Sequence, residues 1–113
     1  MSASQQDDRR RGSRLKVSVP VEICPEGSDA PMRHATSDLS LTGCYIESSF
    51  PLPVGTRLEL KLQIDGGTLL ILATVVTCDT QFGNGISFSK MLPEDIEELR
   101  AFLEKAENLH EKK

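Results

Sequence analysis

Arg57-Leu58-Glu59-Leu60-Lys61-Leu62-Gln63-Ile64-Asp65-Gly66-Gly67 is the stretch that decides the fold. Leu58, Leu60, Leu62 and Ile64 recur at every second position, with Arg57, Glu59, Lys61 and Gln63 between them. Successive strand side chains point to opposite faces, so this period predicts a strand with one apolar and one wet face. Asp65-Gly66-Gly67 then has the chemistry of a hairpin turn. Residues 68–78 continue as a longer β-rich run, apolar on both faces near Leu69 to Ala73 and again at Val75-Val76.

Working outward, the same period recurs. Upstream, Leu15, Val17, Val19, Val21 and Ile23 alternate with polar residues, which predicts a first strand interrupted by Pro20 at an edge or bulge. A Pro/Gly/Ser/Asp loop at 25–31 precedes a weaker strand at 32–38, and 44–48 reads as a third. Downstream, 82–88 is the last strand, with Gly83 and Gly85 marking a bulge or a close backbone approach. The period then changes. Pro93 opens a helix where its missing N–H costs nothing, and Ile96, Leu99, Phe102, Leu103, Ala106 and Leu109 form one apolar stripe. Six short strands and one helix predict an all-β chain with a single helix: a six-stranded antiparallel β-barrel plus a C-terminal α-helix. The expected organisation is an arm at 1–14, a barrel at 15–90, and a helix with its tail at 91–113.

The composition bounds the function. At 113 residues, one domain with a modest core is expected. Only 4% of residues are aromatic and none is Trp, so aliphatic side chains must fill that core. No run is long enough to span a membrane and the N-terminus lacks an apolar leader, so a cytoplasmic protein without membrane insertion is expected. Cys24, Cys44 and Cys78 have no metal-ligand spacing and read as structural thiols in strand-like stretches. Charge is uneven. Arg9, Arg10, Arg11, Arg14 and Lys16 crowd residues 9–16, whereas residues 17–113 hold fifteen acidic and eight basic side chains. A cationic arm on an acidic body suits an anionic partner.

Two motifs carry chemistry. Ser37-Asp38-Leu39-Ser40-Leu41-Thr42-Gly43 packs a carboxylate, hydroxyls and a glycine between two predicted strands. Asp38 can accept from a ligand's N–H groups, Ser40 can donate or accept, and Gly43 permits a close approach. By itself such a stretch also makes a good β-turn. Arg10-Arg11-Gly12-Ser13-Arg14 spells Arg-x-x-x-Arg just before the first strand. Together and in this order, Arg-x-x-x-Arg and Asp38-x-Ser40-x-x-Gly43 resemble the PilZ domain, the bacterial receptor module for cyclic di-GMP. Phe82-Gly83-Asn84-Gly85-Ile86-Ser87-Phe88 and the loop Leu52-Pro53-Val54-Gly55-Thr56 are similar to that family too.

The resemblance implies a split-type barrel that binds cyclic di-GMP on its outer surface through Arg9, Arg10, Arg14, Asp38, Ser40 and Gly43. In that reading Arg10 and Arg14 bond phosphate or the guanine O6/N7 edge and stack on the purine, which Lys cannot do. Asp38 accepts from guanine N1–H and N2–H, Ser40 bonds phosphate or base, and Gly43 keeps the rim free of a Cβ. Arg9 resembles the family version that holds a stacked ligand pair. The chain would be a receptor and not an enzyme, with no cofactor or metal, passing the signal to an unidentified protein in trans. Two other readings stand beside it: a ligand-independent PilZ-like adaptor, and a small-barrel nucleic-acid binder. The acidic body and the shortage of aromatics for base stacking argue against nucleic acid as a partner.

Overall fold

The computed structural model describes residues 14–111, with side chains described through residue 108. Six strands form a closed antiparallel barrel in the order β1-β2-β3-β6-β5-β4. They are β1 (Pro20–Pro25), β2 (Met32–Leu39), β3 (Gly43–Glu47), β4 (Arg57–Ile64), β5 (Gly67–Asp79) and β6 (Gly83–Met91), followed by helix α1 (Pro93–Glu111). Closure leaves no sheet edge open for pairing with another chain.

The alternation that predicted β4 is realised residue by residue: Leu58, Leu60, Leu62 and Ile64 are buried while Arg57, Lys61 and Gln63 face solvent. Asp65 and Gly66 both take positive φ, 42° and 78°, the conformation of a tight two-residue hairpin whose twist matches its strands. β5 answers with Leu69, Ile71, Ala73 and Val75 inside. Its other face does not find a second layer, and Leu70, Leu72 and Val76 stay exposed.

The sequence placed the first strand from Leu15, but the regular ladder begins at Pro20. Pro20 stands as the first residue of the strand, where a missing N–H is tolerated. Residues 15–19 still run along β2, held by reciprocal bonds between Leu15 and Leu39 (2.8 and 2.9 Å) and by Thr36 N–H donating to the Val19 carbonyl (3.0 Å). The three cysteines also divide: Cys44 is buried, Cys24 half-buried and Cys78 exposed, so core packing does not account for Cys78. The β4 ladder ends at Thr74, so Thr77, Cys78 and Asp79 pair with β6 alone, and residues 76–79 are exposed.

Antiparallel alternation brings the start of β1, the β2–β3 turn, the β4–β5 hairpin and the end of β6 to one end of the barrel. Helix α1 packs at this end. Leu99 is wholly buried, Phe102 and Leu103 lie against the core, and Lys105 Nζ sits 3.9 Å from Asp65 Oδ2. No helix among the described residues is long and apolar enough to cross a membrane.

Candidate functional site

The site grows from an irregularity in β2. Thr36 pairs with Ile46 and Asp38 with Tyr45, so Ser37 is an extra residue on that strand. Regular alternation would send Thr36 and Asp38 to the same face. The bulge resets the phase: Thr36 and Leu39 are buried, three positions apart, and Asp38 is turned to the outer surface beside Tyr45.

The reciprocal Leu15–Leu39 bonds bring the arm's last residue to this spot. Arg14 Nη1 lies 3.6 Å from Asp38 Oδ1, an ion pair too long to count as a hydrogen bond. Oδ1 is nevertheless shielded from solvent and has no hydrogen-bond partner among the described residues. A shielded carboxylate oxygen is an acceptor whose donors are not supplied by its neighbours, and burying one unpaired is costly. The Cys44 thiol beneath registers the same field. Burial pushes it up to about 12, and the Asp38 charge adds to the shift while the Arg14 guanidinium opposes it.

Ser40 and Gly43 serve the turn and the sheet. Ser40 is 1% exposed. Its Oγ accepts from the N–H groups of Thr42 (3.1 Å) and Gly43 (3.2 Å), and its backbone N–H donates to the Gly43 carbonyl (2.9 Å). The hydroxyl thus closes the β2–β3 turn, as Ser side chains do in such turns. Gly43 does not use positive φ. A Cβ there would collide with the Ile86 carbonyl of β6, so the close approach foreseen at Gly43 is made by the neighbouring strand. Arg9 and Arg10 lie outside the described residues.

Three participants were not read from the sequence. Thr36 is buried, and its Oγ1 donates to the Val17 carbonyl (2.7 Å) and accepts from Val19 N–H (3.0 Å), clasping the segment that carries Arg14. Asn84 is buried, exchanges two 2.8 Å bonds with the backbone of Leu52 and donates to the Thr77 carbonyl (3.1 Å), pinning the β3–β4 loop. Tyr45 O–H donates to Asp79 Oδ2 at 2.7 Å, and this bond raises the phenol to about 12. The available signals were a hydroxyl at an inward position of β2 and a carboxamide inside Gly83-Asn84-Gly85. Among the described residues, no group of three or more His, Cys, Asp or Glu side chains is arranged to hold a metal ion.

The PilZ domain family model matches residues 8–105. The chain belongs to the PilZ domain family. Its barrel is similar to the PilZ domain of CeSA from a cellulose-synthesizing bacterium, with 22% identity, a TM-score of 0.64, and coverage of 82% of this chain and 97% of that one. It is also similar to the PilZ domain of YcgR from Escherichia coli, solved with c-di-GMP: 18% identity, TM-score 0.69, 93% of this chain and 99% of that one. The Borreliella burgdorferi PlzA protein, solved in complex with c-di-GMP, matches at 20% identity and TM-score 0.53, over 81% of this chain and 34% of that one. At these identities the likeness is one of fold. No curated protein matches the chain. The motif residues Arg14, Asp38, Ser40 and Gly43 of this PilZ barrel all sit at the end where the chain enters β1.

Proposed function

We propose that this protein is a receptor for cyclic di-GMP, not an enzyme, and that it acts in the cytoplasm by passing the ligand-bound state to a partner protein in trans. The observation that carries the reading is the shielded Asp38 Oδ1, 3.6 Å from a guanidinium and without a hydrogen-bond donor among the described residues. The Watson–Crick edge of guanine offers two adjacent N–H donors, the complement of a carboxylate. Arg14 then meets a phosphate or the O6/N7 edge bidentately, or stacks on the base. Arg10 and Arg9 supply further guanidinium groups from the arm, and Arg9 favours a stacked ligand pair. Ser40 and Gly43 contribute by shaping the turn and the β3–β6 contact that set where Asp38 stands.

Isothermal titration of the full chain with cyclic di-GMP tests this. Wild type releases heat at micromolar ligand or tighter, and Arg10→Ala, Arg14→Ala and Asp38→Ala each weaken binding by roughly tenfold or more, as expected when a charge-assisted contact is lost. Absence of binding by wild type, or unchanged affinity in all three variants, overturns the reading. A steep loss of affinity for single-stranded nucleic acid with rising salt would instead mark the small-barrel nucleic-acid alternative. Pull-downs with and without ligand identify the partner.

A further inference from the structure

The outer face of β5 has an apolar stripe without cover. Leu70 and Leu72 are 44% and 47% exposed in the middle of a sheet, at positions where outward residues are usually polar. Leu92, just beyond β6, is exposed as well. The register states what flanks the stripe. Glu59 of β4 pairs with Leu72 on one side, and Lys90 of β6 pairs with Leu72 on the other. Neighbouring strands are about 4.8 Å apart, so this row reads carboxylate, leucine, ammonium across about 10 Å.

Other charges near the row have partners within the chain: Arg57 lies 4.0 Å from Glu26, and Lys61 lies 3.9 Å from Glu22. Glu59 and Lys90 make no ion pair among the described residues. An open groove of about 640 Å³ runs beside Leu72, with Glu59 and Lys90 in its walls.

We propose that this face is a homodimer surface, and that its occupant is a second copy of this chain related by a two-fold axis parallel to β5. That operation preserves the level along the strand and exchanges the β4 and β6 sides. Leu72 then meets the Leu72 of the other copy in the groove, Glu59 faces Lys90, and Lys90 faces Glu59. A row with an apolar centre and opposite charges at equal spacing is its own complement, which an isologous contact requires. The face is separate from the Arg14–Asp38 site and does not depend on what that site binds.

Sedimentation velocity across a concentration series tests the inference without added ligand. Wild type passes from monomer to dimer as concentration rises. Leu72→Asp stays monomeric at every concentration, and because Leu72 is exposed its circular dichroism is unchanged. Glu59→Lys or Lys90→Glu alone sets like charges opposite one another and raises the dimer dissociation constant by roughly tenfold. The Glu59→Lys, Lys90→Glu double variant restores opposite charges and the wild-type constant. A wild type that remains monomeric to millimolar concentration overturns the inference. So does a dimer that survives Leu72→Asp, or a double variant no better than the singles.

Discussion

Replacing Thr36 by Val isolates the clasp that holds the arm. The two side chains have nearly the same shape, so the change removes one hydroxyl from a buried position and little else. Two bonds disappear, Oγ1–H to the Val17 carbonyl at 2.7 Å and Val19 N–H to Oγ1 at 3.0 Å. Val19 is 2% exposed, so its amide N–H is left without an acceptor and without water. An orphaned buried amide costs roughly 1–3 kcal/mol and the second bond about 1 kcal/mol. The added methyl returns about 0.8 kcal/mol of apolar burial. The expected net loss is therefore about 2 kcal/mol, read as a midpoint shift in urea with an unchanged slope. Because residues 15–19 run from this clasp to Arg14, Thr36→Val also weakens cyclic di-GMP binding, while Thr36→Ser, which keeps the hydroxyl, binds as wild type does. A Thr36→Val protein within about 0.5 kcal/mol of wild type and with full affinity would refute the role assigned to Thr36.

Gly43→Ala forces a Cβ onto the Ile86 carbonyl and should destabilise the barrel by roughly 2 kcal/mol or more, seen as a lowered melting temperature. Asn84→Ala frees Leu52 from its paired bonds, and hydrogen exchange at the Leu52 amide should rise well above that of the β6 ladder. Tyr45, raised to about 12 by its bond to Asp79, should titrate late in an ultraviolet titration and return toward 10 in Asp79→Asn. Since the folded value lies above the unfolded one, the stability this pair contributes is fully present below pH 10 and is lost as pH rises from 10 to about 12. Cys78 should react quickly with a thiol reagent in the folded protein, whereas Cys44, buried and raised to about 12, should react only on unfolding.

The period-two run at Arg57 to Ile64, the Asp65-Gly66 turn and the helical stripe after Pro93 were legible because each depends on near neighbours in the chain. So were the two motifs, as a set of residue types. Their geometry was not. Asp38 faces outward because a bulge at Ser37 resets the alternation of β2, and Arg14 reaches it because Leu15 bonds to Leu39, twenty-four positions away. The sequence left the Ser40 hydroxyl and the Gly43 backbone open either to a ligand or to a β-turn; in the fold the hydroxyl closes its own turn and Ile86 of β6 occupies the space beside the glycine. The exposed Leu70 and Leu72 followed the same logic: both faces of β5 were apolar in the sequence, and only barrel closure decided which was covered. Local pattern sets which elements form. Which atoms meet depends on register between distant strands, and that is fixed when the barrel closes.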